Sequence, residues 1–99
     1  MSNKALDATE IESRLSKLDG WNLKNGKLHR DFEFQDFNQA FGVISQTALK
    51  AESMNHHPEW FNVYNKLSVD LTTHDAGGIS EKDFEMAEAI NTYAQKRGS

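Results

Sequence analysis

Three of the four histidines fall between residues 56 and 74, together with the only proline. The stretch reads Glu52-Ser-Met-Asn-His56-His57-Pro58-Glu-Trp60-Phe-Asn-Val-Tyr64, and His74 and Asp83 follow it. Imidazole is the side chain whose ordinary pKa lies nearest neutrality, so such clustering points to proton transfer or to metal binding. Zinc needs three or four ligands converging within about 2.0–2.3 Å of the ion. His56 and His57 are adjacent, so they diverge by about 100° on a helix and face opposite ways on a strand. The chain has no cysteine and no HExxH, which leaves only a grouping of His56, His74 and a carboxylate. No metal is expected. Acid–base chemistry fits better, because Glu52 precedes His56 by four residues, the spacing that orients an imidazole on one helical face and raises its pKa. Helix C-terminal carbonyls add to that preference for a protonated ring. Thr72 and Thr73 offer hydroxyls, and Trp60 offers either an aromatic face for a flat heterocycle or a core contact. Asp83 stands three residues after Ser80, where a capping box alone would account for it. His29 falls on the polar side of a strand and is read as solvated, with no role.

The elements that must position these groups can be read in order. Residues 1–6 are expected to fray. Asp7 or Thr9 caps a first helix with Ile11, Leu15 and Leu18 on one stripe, and Asp19-Gly20 stops it. Trp21 to Lys24 and Lys27 to Gln35 alternate around Asn25-Gly26, the strongest short hairpin signal. Asp36 caps a long helix with Phe37, Ala40, Phe41, Ile44, Ala48 and Ala51 at helical spacing. Val43, Thr47 and Met54 widen its apolar surface, so a second face is expected to pack on another subunit. Pro58 ends that helix near Asn55 or His56. Trp60 to Tyr64 and Leu67 to His74 read as two strands joined at Asn65-Lys66. Strict alternation would put His74 with Thr72 on the polar face, so His74 must lie at or past the strand end, or the site opens on that face. Ser80 caps a last helix, with Ile79 and Phe84 as a hydrophobic staple. The order αββαββα predicts an α+β fold, a four-stranded antiparallel sheet with helices on one face.

Ninety-nine residues suffice for one domain, taken as 1–99. The net charge of −4 gives no electrostatic case for direct nucleic-acid binding. No stretch approaches the roughly 20 apolar residues of a membrane span, so no membrane partner is expected. The N-terminus lacks the apolar run of a secretory signal, and a cytoplasmic location follows as the expectation.

Glu52-x-x-x-His56-His57-Pro58, the aromatics Trp60 and Tyr64, Thr72-Thr73-His74 and then Asp83 together resemble the pterin-4a-carbinolamine dehydratases. The likeness runs from about Gly20-Trp21 to the last helix, through Phe37-Asn38-Gln39-Ala40-Phe41-Gly42 and the whole run from His56 to Lys66. It implies the same αββαββα fold and a homo-oligomer, dimer or tetramer, built through the long helix and an edge strand. It also implies dehydration of 4a-hydroxytetrahydropterin to quinonoid dihydropterin, the recycling step for the pterin used by aromatic amino-acid hydroxylases. The pterin is then substrate, and no cofactor is expected. By matching positions, His56, His57 and His74 are the active-site imidazoles, and Glu52 and Asp83 their supporting carboxylates. Asn55, Thr72, Thr73 and Asp75 join the histidines in contacting substrate, with Trp60 as the aromatic candidate. Asn55 stands where some members have an acid, and Asp75 where some have Glu. Loss of hydroxide from C4a and of the N5 proton suits two imidazoles, assigned here as His56 and His74, with His57 mainly binding. In animals, members also serve as dimerisation cofactors of a hepatocyte nuclear factor. That implies an alternative, a protein partner docked on the long helix, with nuclear presence in a eukaryotic coactivator.

Overall fold

The first hairpin forms where Asn25 and Gly26 both take positive φ, 54° and 76°, as a tight turn matched to strand twist requires. It joins β1 (Asn22–Lys24) to β2 (Lys27–Glu33) in a computed structural model that describes residues 4–96. Before it stands α1 (Ala8–Leu15). After it come α2 (Phe37–Met54), β3 (Glu59–Val63), β4 (Lys66–Leu71) and α3 (Glu81–Lys96), with a short 3-10 turn, His74–Ala76, ahead of α3. All strand pairs are antiparallel in the order β1-β2-β4-β3, so the α+β fold is as expected.

Caps set the helix limits. Asp7, not Thr9, caps α1, its Oδ1 accepting from the Glu10 N–H at 2.9 Å. Asp36 caps α2 by accepting from the Gln39 N–H at 2.9 Å, and Gln39 Oε1 reaches back to the Gln35 N–H at 3.0 Å. Residues 1–3 lie outside the described residues, but the expected fraying does not extend to Leu6, whose N–H donates to the Ile79 carbonyl at 2.8 Å. Gly20, past the end of α1, has φ 85°, and a Cβ there would stand 2.5 Å from Arg30 Cζ, so only glycine lets that guanidinium lie across the chain.

The core lies between one sheet face and the helices. Leu28, Phe32, Leu67, Val69 and Leu71 meet Ala40, Val43, Thr47 and Ala51 of α2, and Phe84, Ala87, Ile90 and Ala94 of α3. Each fully buried Val, Leu, Ile or Phe side chain among them contributes about 1.5–3 kcal/mol. Ile79 and Phe84 are both buried, as the staple predicts.

Three expectations need correcting. Val43 and Thr47 are in the core and cannot form an outer interface; the apolar surface that α2 exposes is Phe37, Phe41 and Leu49. The β3–β4 turn is Tyr64-Asn65, with Tyr64 at φ 53°, and Lys66 already pairs with Val63. His29 is not solvated. It is 6 % exposed, with Nδ1 2.8 Å from Asp70 Oδ1 and Nε2 3.1 Å from Asp31 Oδ1. Burial opposes charge on this ring, but Asp70, hydrogen-bonded at Nδ1, and Asp31, close to Nε2, outweigh it and raise its pKa above the ordinary value.

Candidate active site

The site begins where α2 stops. Asn55 takes the left-handed conformation, φ 51°, and closes a Schellman motif. The His56 N–H donates to Ala51 O at 3.0 Å, and the Asn55 N–H to Glu52 O at 3.2 Å. This reversal sends the adjacent histidines apart. His56 turns inward and is 8 % exposed, while His57 faces solvent.

His56 meets a carboxylate from a distant helix, with Nε2 2.6 Å from Asp83 Oδ1. Asp83 is fully buried, and its Oδ2 accepts from Thr73 Oγ1 at 2.8 Å and from the Ser80 N–H at 2.9 Å. Thr73 has one hydroxyl proton and gives it to Asp83, so the Ser80 hydroxyl donates to Thr73 Oγ1 at 2.6 Å. The capping box and the site are therefore one structure. Asp83 caps α3 with one oxygen and holds His56 with the other. With His56 donating to Asp83 through Nε2, its Nδ1 is the nitrogen left to exchange a proton.

Glu52 does not support His56, as helical spacing suggested. The helix ends at Met54, so the four-residue relation fails, and Glu52 Oε1 lies 2.8 Å from His57 Nε2 instead, both groups being exposed. His74 sits past β4 on the 3-10 turn, in keeping with the first of the two alternatives that strand parity allowed, a place beyond the strand end. A backbone bridge from Thr73 to Gly78 closes that turn. His74 Nε2 is 3.3 Å from Glu59 Oε2, and Glu59 Oε1 accepts from Lys27 Nζ at 2.6 Å. That hydrogen bond from Lys27 is the main reason the Glu59 carboxyl titrates below its ordinary value. Each of the three imidazoles thus presents Nε2 to its own carboxylate.

One cleft of about 220 Å³ gathers these groups. The end of α2 supplies Asn55, His56 and His57, and the segment after β4 supplies Thr72, Thr73, His74 and Asp75. Lys82, from the first turn of α3, completes the lining and was not among the candidates, although it adjoins Asp83 in sequence. Glu59 was also missed, since its link to His74 depends on strand register. Trp60 does not line the cleft; it lies on the edge strand β3 opposite Val69. Among the described residues no three His, Cys, Asp or Glu side chains converge as metal ligands would.

Comparison with known proteins gives a consistent picture. A family profile described as Pterin 4 alpha carbinolamine dehydratase matches residues 4–93. A relative from Solibacter usitatus, named for pterin-4-alpha-carbinolamine dehydratase, is 56 % identical over 89 residues, 90 % of this chain and 94 % of the relative. One from Chelativorans sp. with the same name is 50 % identical over 98 residues, 97 % of this chain and 100 % of the relative. A crystal structure of a transcriptional coactivator/pterin dehydratase from Brucella melitensis superposes with TM-score 0.89 at 44 % identity, covering 92 % of this chain and 99 % of that one. A pterin dehydratase-like RuBisCO assembly factor of the alpha-carboxysome shares the fold alone, with TM-score 0.63 at 17 % identity over 75 % of this chain and 86 % of that one.

Proposed function

The chain belongs to the pterin 4 alpha carbinolamine dehydratase family, and from that premise we propose that it catalyses the dehydration by histidine acid–base chemistry. It is a hydro-lyase acting on a pterin-4a-carbinolamine. The finer reading is that 4a-hydroxytetrahydrobiopterin loses water to give quinonoid dihydropterin, which returns the pterin for reduction to tetrahydrobiopterin. The observation that carries this reading is the single cleft with three imidazoles, each backed at Nε2 by a separate carboxylate. Such backing sets the tautomer and leaves the other ring nitrogen to exchange protons.

The leaving C4a oxygen must gain a proton, and N5 must lose one. His56 and His74 lie on different walls of the cleft, so one can donate while the other accepts. His56 is backed by the buried Asp83, which stabilises the imidazolium formed when it acts as base. His57 binds and offsets charge, and Thr72, Asn55, Asp75 and Lys82 offer polar contacts to the heterocycle. No cofactor enters this scheme, and the pterin is substrate only. The direct test is stopped-flow decay of synthetic 4a-hydroxytetrahydropterin, read against the spontaneous reaction. A rate well above buffer is expected, and a rate equal to buffer would end the enzymatic reading.

The exposed apolar groups support a homo-oligomer, dimer or tetramer. Phe37, Phe41 and Leu49 stand on α2, and Phe61, Val63 and Tyr64 on or beside the unpaired edge of β3. Large exposed apolar patches are rare on soluble monomers. The α2 patch equally suits the second reading, a partner protein docked there, to which the coactivator name of the Brucella relative also points. No described helix is long and apolar enough to cross a membrane. A cytoplasmic location is part of the proposal.

A further inference from the structure

His74 is the least constrained of the three imidazoles. It is 79 % exposed on a 3-10 turn of three residues, and its one ion-pair partner among the described residues is Glu59. Glu59 is better held, because it lies in the β3–β4 ladder and its Cα faces that of Asp70. Two carboxylates facing each other across a strand pair repel. Lys27 answers that repulsion. Strand β4 lies between β2 and β3, so the Lys27 side chain must pass over β4 to place Nζ 2.6 Å from Glu59 Oε1. The Asp70 charge also favours the Lys27 ammonium. The second oxygen of Glu59 is then left for His74.

We infer that Lys27 and Glu59 are positioning residues for His74, the ammonium fixing the carboxylate and the carboxylate fixing the Nε2 side of the ring. An exposed imidazole on a short turn would otherwise sample several rotamers. Holding one of them keeps Nδ1 directed at a bound substrate. The other charged or titratable groups facing His74 are Asp75 on its own turn, His56 and His57 at the end of α2, and Lys82 on α3. None of these bridges to it through a second ion pair.

The kinetic consequence rests on the dehydratase reading, but the positioning is measurable without turnover. NMR of the imidazole side chains in the full chain is the test, with χ1 couplings reporting the His74 rotamer and His57 as internal control because its carboxylate is Glu52. Glu59→Gln should spread the His74 χ1 couplings toward a rotamer average and leave those of His57 in place. Lys27→Met should move the His74 couplings in the same direction, and Lys27→Arg should restore them. In the stopped-flow assay, Glu59→Gln should lower kcat by about 3–10-fold with KM little changed, the mark of a contact used in the transition state. A His74 rotamer unchanged in Glu59→Gln would overturn the inference. A released His74 rotamer in Glu59→Gln, with no dehydration by the unmodified protein, would keep it and refute the functional reading instead.

Discussion

Replacing Asp83 by Asn tests whether this carboxylate is a structural cap, a catalytic support, or both. The amide oxygen can stand where Oδ2 stands and still accept from Thr73 Oγ1 and the Ser80 N–H. The amide nitrogen then faces His56 Nε2 in place of Oδ1. Two donors cannot face each other in a buried site, so the imidazole proton moves to Nδ1 and Nε2 becomes the acceptor. The nitrogen available to the cleft is thereby converted from base to donor. Three charge-assisted hydrogen bonds become neutral ones, a loss of about 1–3 kcal/mol in all against a total stability of about 5–15 kcal/mol. The variant should therefore fold. Its kcat should fall by about 10²–10⁴, the usual contribution of one positioned proton-transfer group. Asp83→Ala should behave differently. It strands the Ser80 N–H and His56 Nε2–H at about 1–3 kcal/mol each, so it should destabilise by about 2–6 kcal/mol as well as lose activity. Stopped-flow rates, chemical denaturation and imidazole nitrogen shifts would report all three effects. An Asp83→Asn protein with wild-type rate and the proton still on His56 Nε2 would refute the reasoning.

His29 should make stability depend on pH. Its folded pKa is raised, so its contribution is complete below the unfolded value of about 6.5 and is lost as pH rises through the folded value. Urea denaturation from pH 5.5 to 8.5 should show that decline, and His29→Phe should flatten it; an unchanged slope would show that the Asp31–His29–Asp70 contacts do not matter. Replacing Phe37 and Phe41 by Lys should lower the mass seen by light scattering with the fold retained, whereas Val43→Lys should unfold the chain. A wild-type mass of one 11.2 kDa chain at high concentration would remove the basis for assembly. Dialysis against a strong chelator should leave the dehydration rate unchanged, and loss restored specifically by zinc would contradict the scheme.

What was legible in the sequence was mostly local. Asn25-Gly26, the Asp36 cap and the Ile79–Phe84 staple each act within a few residues, and each is where the pattern places it. The cleft residues other than Lys82 were also legible, because they cluster at the end of α2 and just after β4. Pairings that depend on distant chain were not. Helical spacing assigned Glu52 to His56, but the left-handed Asn55 broke that relation and delivered Glu52 to His57. The partner of His56 comes from α3, 27 residues on. His29 looked solvated because strand parity says only which face a residue takes, and Asp70 covers that face from β4. Trp60 had the right chemistry for a heterocycle, but its strand directs it to the sheet edge. Val43 and Thr47 were misplaced because a helix packed on both a sheet and α3 buries a wider stripe than one sheet alone would.

The central claim is that two imidazoles brought to one cleft by different segments, the end of α2 and the turn after β4, carry the proton transfers. Single-turnover dehydration by His56→Ala, His74→Ala, His57→Ala and the double variant of His56 and His74 tests it most directly. Each of the first two should lower kcat by about 10²–10⁴, while His57→Ala should act mainly through KM. The double variant should be little slower than either single one, because both groups serve one elimination. Full activity in all three single variants would contradict the account, since the imidazole cluster would then be structural only.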